Sequence, residues 1–141
     1  MSIKFISKLP PSDRRSLPVA TGSTILPGQV AEEDANGDLV LADGASIVES
    51  PKWAFTASSR VDAAEAEAMT VVEGPFTADV NTDGYVGTPV KGNAFEVGTG
   101  GNVGKLVVLT VTADATTLQS IVAYCERAPD ADGFIRIRVI R

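Results

Sequence analysis

The sequence predicts an all-β fold: a single small β-barrel or β-sandwich domain with an extended N-terminal arm and at most one short helix. Three observations carry this expectation. Short apolar, β-branched runs follow one another from Ser23 onward, punctuated by Asn-Gly, Asp-Gly and Gly-Pro pairs that favour turns. Helical periodicity is confined to one alanine-rich stretch, residues 59–69. The 141 residues, 44% hydrophobic and 21% charged, suffice for one buried core and are too apolar for a mainly disordered chain.

The elements follow in chain order. Residues 3–9, "IKFISKL", read as a strand with Ile3, Phe5 and Leu9 on one face. "PPSDRRSLP" then breaks regular structure, because proline donates nothing to a ladder. Residues 1–22 are therefore expected to form an extended arm and residues 23–141 the body. "GQVAEEDANGDLVLADG" is a hairpin, since Asn36-Gly37 is a tight-turn signal between two alternating runs. "KWAFTAS" is a strand. "SRVDAAEAEAM" is the helical candidate, with Ser59 and Asp62 at capping-box spacing, and a loop with one helical turn fits it equally well. "MTVVEGPFTADV" reads as one strand bulged or bent at Gly74-Pro75. "NAFEVG", "KLVVLTV", "QSIVAYCERA" and "FIRIRVIR" read as four more strands, the last two joined at Asp132-Gly133.

Two strands say more. In "FIRIRVIR" Ile135, Ile137 and Val139 share one face, and Arg136 and Arg138 form a basic outer face. In residues 105–111 both faces are apolar: Leu106, Val108 and Thr110 alternate with Val107, Leu109 and Val111. A sandwich strand needs one apolar face, so the second is expected to be covered by the chain's own termini or by another subunit.

The charge pattern bounds the function. The net charge of −6 argues against general nucleic-acid binding. Residues 1–30 nevertheless carry four cations against one anion, and residues 131–141 three against one, so basic ends flank an acidic body. There is no histidine, which removes the commonest general base and metal ligand. The single cysteine, Cys125, excludes an intramolecular disulfide framework and a cysteine-based zinc site. The start lacks the apolar core of a signal peptide, and no run reaches membrane-spanning length, so synthesis in a cytoplasm without a membrane anchor is expected.

No motif points to catalysis or to a cofactor. "GTGGNVGK" (98–105) looks like a phosphate loop, but Thr99 stands where its first glycine belongs and Leu106 follows the lysine. Val103 likewise breaks the dinucleotide fingerprint, and a strand follows instead of a helix, so a strand-to-strand connection is expected. "DVNTDG" (79–84) matches half of a calcium loop, yet Val90 sits at the twelfth position, where a bidentate acid is required. "DANGD" (34–38) repeats the ambiguity, and a turn is expected at both. Glu65 and Glu67 form an acid pair on an exposed stretch. Cys125 is expected to be a small buried residue, and Trp53, Phe55 and Tyr124 to be core aromatics.

The order of segments resembles the capsid decoration (cement) proteins of tailed bacteriophages. The resemblance runs from "ILPGQVAEEDANGDLVLADG" through "KWAFTASSRVDAAEAEAMTVVEGPFTADV" and "GNAFEVGTGGNVGKL" to "IVAYCERAPDADGFIRIRVIR", behind a proline-rich arm. It is one of layout and texture, and the chain departs from the short decoration proteins in length and in its separate basic arm. It implies a small, β-rich, non-enzymatic protein without cofactor. Such a protein binds the outside of the expanded head, often as a trimer, and resists the pressure of packed DNA. The partner implied is the major capsid protein, with no nucleic acid and no membrane. Lys4, Lys8, Arg14 and Arg15 are then the capsid-contact candidates, and Val107, Leu109 and Val111 the self-association candidates. A head-fibre base, a tail-tube subunit, or a carbohydrate-binding module assisted by calcium at Asp79, Asn81 and Asp83 are the alternatives.

Overall fold

The computed structural model describes residues 3–5, 13–45, 48, 50–54 and 68–141. They form two antiparallel sheets packed face to face, which makes the body a β-sandwich. In chain order the strands are β1 (Ile3–Phe5), β2 (Asp13–Pro18), β3 (Val30–Glu33), β4 (Leu39–Leu41), β5 (Lys52–Ala54), β6 (Ala68–Glu73) and β7 (Phe76–Val80). β8 (Ala94–Val97), β9 (Leu106–Leu109), β10 (Ala123–Arg127) and β11 (Ile135–Val139) complete them, with one helix, α1 (Ala115–Ser120), before β10. The six-stranded sheet runs β1-β7-β11-β10-β8-β9, and the five-stranded sheet runs β2-β6-β5-β3-β4.

The main core lies between the sheets. Trp53, Val30 and Val72 of the five-stranded sheet meet Phe95, Leu106, Ile135 and Ile137 of the other. Trp53 packs edge-on against Phe76, with ring centroids 5.9 Å apart. Each fully buried side chain of this size contributes about 1.5–3 kcal/mol.

The five-stranded sheet is apolar on both faces. Ala31, Leu39, Ala54, Met69 and Val71 point away from the main core and form a second cluster. Val19 and Ile25, from the connection between β2 and β3, are buried in that cluster. Two-sided burial thus belongs chiefly to β3, β5 and β6. At least part of the second face is covered by the chain itself.

Two described parts of the expected extended arm pair with the sheets. Ile3–Phe5 pairs with β7, and Asp13–Pro18 pairs with β6 over six residues. Leu17 packs on the second cluster, which draws the segment in. Pro18 ends an edge strand, where a missing N–H is tolerated.

Two other expectations change. Residues 69–80 are not one bent strand: β6 and β7 lie in different sheets, and the cis Gly74–Pro75 peptide marks the crossing. Alternation within a run does not reveal which partner it pairs with. Gln119 and Ser120, expected in a strand, close helix α1. Asp114 caps that helix, its carboxylate accepting the Thr117 N–H at 2.8 Å. The helical candidate over 59–69 lies outside the described residues except for Ala68 and Met69, which open β6.

The expected hairpins are present. β3 and β4 pair across Asn36-Gly37, and β10 and β11 across Asp132-Gly133, with Gly37 and Gly133 at φ +82° and +83°. "GTGGNVGK" connects β8 to β9, as expected. Its Gly104 is wedged against the other sheet: Gly104 N–H donates to Ala42 O, and Val30 N–H to Gly104 O, both at 2.8 Å.

Candidate functional site

The outer face of the six-stranded sheet brings together Asp79, Arg136 and Arg138, three of the charged residues that the sequence singles out. In β11 the hydrophobic residues Ile135, Ile137 and Val139 turn inward and Arg136 and Arg138 outward, as the alternation predicts. Register then sets their neighbours. Arg138 stands opposite Thr77 on β7 and Tyr124 on β10; Tyr124 stands opposite Ala94, and Ala94 opposite Leu109. One row thus runs Thr77, Arg138, Tyr124, Ala94, Leu109 across the sheet.

A second row is locked by charge. Asp79, buried on β7, stands opposite Arg136 and takes its Nε at 2.9 Å and Nη2 at 3.4 Å. Arg127 Nη2 lies 3.5 Å from Asp79 and 3.2 Å from Asp130. The hydrogen bond to Asp79 holds the Arg136 guanidinium even more firmly protonated than usual. Asp79 therefore serves as counter-ion to two arginines, so the calcium half-motif that begins there is used for strand cross-linking. Among the described residues no group of three or more Cys, Asp and Glu side chains is placed to hold a metal ion.

The other acidic turns have structural work too. Asp34 Oδ1 accepts the Asn36 and Asp38 N–H groups at 2.8 and 3.0 Å. Asp130 Oδ1 accepts those of Asp132 and Phe134, both at 2.9 Å. "DANGD" and "DADGF" are thus the same turn, with the first Asp bonding amides two and four residues on and Gly in the fourth place.

A groove of about 450 Å³ opens on this face beside the first row, lined by Lys91, Gly92, Tyr124, Cys125, Glu126 and Arg138. The Arg138 guanidinium lies 5.7 Å from the Tyr124 ring centroid, and its Nε is 3.5 Å from Glu126. Tyr124 is thus half-buried in the groove, where a core aromatic was expected, while Trp53 is buried. Phe55, Glu65 and Glu67 lie outside the described residues. Cys125 is buried as expected, and burial pushes its thiol up.

The self-association candidates lie on and beside an edge strand. β9 ends the six-stranded sheet. Val107 and Leu109 are half-buried on its outer face opposite Glu96 and Ala94, and Val111 lies beyond the strand, 51% exposed. Val108, turned toward the main core but at its rim, is 41% exposed. Gly98 N–H donates to Lys105 O at 2.8 Å and Val86 N–H to Leu106 O at 3.0 Å, on the two sides of the strand. By the alternation of an antiparallel ladder, the Val108 N–H and C=O then point away from β8.

The capsid-contact candidates divide between the sheets. Lys4 occupies the β1 position opposite Asp79; Arg14 and Arg15 occupy β2 positions opposite Val72 and Val71. Lys8 lies outside the described residues. Position 4 thus lies on an edge strand of one sheet and positions 14 and 15 on an edge strand of the other. Among the described residues no helix is long and apolar enough to cross a membrane. No protein-family model and no curated protein matches this chain.

Proposed function

We propose that the protein is a structural, non-enzymatic component of a tailed-phage virion. It binds the outer surface of the head and stabilises the capsid by cross-linking neighbouring capsid subunits. Its partner is the major capsid protein, and it acts as a homo-oligomer, with a trimer favoured. It is made in the host cytoplasm and works on the outside of the head.

The observation that carries this reading is the pair of sheet ends at β1 and β9. A cement must grip more than one neighbour, and a sheet edge recruits a strand through main-chain hydrogen bonds. β9 carries neither the charge nor the proline that normally blunts an edge, which fits a strand that meets another copy. Val107, Leu109 and Val111 flank that contact. β1 lies at the opposite end of the same sheet, and Lys4, Lys8, Arg14 and Arg15 supply cations near the N-terminus for the capsid. The segment layout shared with decoration proteins supports the same reading.

The test is to band particles from the source lysate on a density gradient and count this chain in DNA-filled heads. Hundreds of copies per head, on the order of the capsid subunit number that a multivalent shell requires, agree with the reading. A few copies per particle would assign it to a tail or vertex component, and absence from particles would refute a virion role.

A further inference from the structure

We propose that the groove beside Tyr124 binds a carboxylate of an acidic peptide segment on a partner protein. The cations on this face are unequally paired. Asp79 is shared between Arg136 and Arg127, and Arg127 also meets Asp130, so both arginines are compensated. Glu126 reaches Arg138 at 3.5 Å, a looser pair between partly exposed groups. Lys91 is exposed on the groove wall and has no ion pair with any described residue. The charged side chains that line the groove are Lys91, Arg138 and Glu126, two cations against one anion, so the groove is locally positive on a chain of net charge −6. An acidic partner is attracted here and repelled by most of the remaining surface.

The shape fits one extended peptide. A volume of about 450 Å³ lies within the range of small-ligand sites. The Tyr124 ring supplies an apolar floor, and its overlying guanidinium presents further donors to a planar carboxylate. Gly92 leaves the rim open, since a Cβ there would meet no atom within 4 Å. If the head reading holds, the partner is an acidic surface segment of the capsid protein; peptide binding itself is tested without heads.

The experiment titrates the isotope-labelled full chain with capped hexaglutamate and, in parallel, with capped hexaglutamine and inorganic phosphate. Amide shifts confined to residues 91–92, 124–126 and 138 are expected with hexaglutamate alone. Affinity should fall at least about tenfold in Lys91→Glu/Arg138→Glu, and several-fold when salt rises from about 0.05 to 0.5 M. Lys91→Gln, a change at an exposed side chain, should weaken binding by about threefold if the double variant fails to fold. Equal shifts with hexaglutamine or phosphate, shifts centred elsewhere, or unchanged affinity in the Lys91 variants would overturn the proposal. Peptide binding by a chain absent from particles would sink the head reading and leave the groove intact.

Discussion

A single methyl group separates Gly84 from alanine, and the fold has no room for it. A Cβ at Gly84 would lie 2.3 Å from the Gly28 carbonyl oxygen and 2.5 Å from Val80 Cγ1, and backbone cannot swing aside as a side chain can. At Gly101 the same methyl would meet nothing within 4 Å. Gly84→Ala is therefore expected to destabilise the protein by about 2–3 kcal/mol, whereas Gly101→Ala should stay within about 0.5 kcal/mol of the parent. Urea unfolding of the two variants side by side checks this. Neither constraint is legible in the sequence, where both positions are simply glycines near turns. The Asp at the head of each five-residue hairpin turn was more accessible, because Asp and Gly at that spacing are what such a turn demands.

At the scale of elements, α1 and β9 make separate predictions. Hydrogen bonds from Thr112, from the Thr117 amide and from the Thr117 hydroxyl lower the Asp114 carboxyl to about 2. A folded-state pKa below its unfolded value adds stability above the unfolded value and loses it as pH falls through about 2. Protection of the Thr117 amide from exchange should therefore persist at pH 4 and disappear as Asp114 titrates. Asp114→Ala should remove that protection at every pH. For β9, Val108→Lys places a charge at an exposed position on the part of the edge that the Tyr85–Leu106 bridge leaves open. The native mass should fall to that of the monomer while the circular dichroism of the body is kept; an unchanged oligomer would exclude β9 from the interface. Elements announced by turn chemistry or strict alternation, such as the β3–β4 hairpin and β11, were legible in advance. α1 was not, because "ATTLQS" is short and rich in threonine. The groove was not legible either. Lys91 and Arg138 are 47 positions apart, and only the pairing of β10 with its two neighbours brings them to one wall.

For the whole molecule, the described parts of the N-terminal segment, residues 3–5 and 13–18, pair with the two sheets. Removing residues 1–22 takes away β1, the six-residue ladder between β2 and β6, and the buried Val19. Loss of Val19 burial alone costs about 1.5–3 kcal/mol. This truncation should lose cooperative thermal unfolding, so binding studies of an N-terminal role are better served by charge reversal at Lys4 and Lys8. The strand order has a further effect during synthesis. β11 sits inside the six-stranded sheet and joins β1-β7 to β10-β8-β9, so neither half can meet the other until residues 135–139 have left the ribosome. Only the joining of the two halves waits on β11. Pairings such as Ile3 with Val80 and Arg136 with Asp79 join residues 77 and 57 positions apart, which places folding in the slow, non-local regime. A nascent chain stalled short of β11 exposes two unfinished half-sheets, and such a species is a substrate for chaperones or for aggregation.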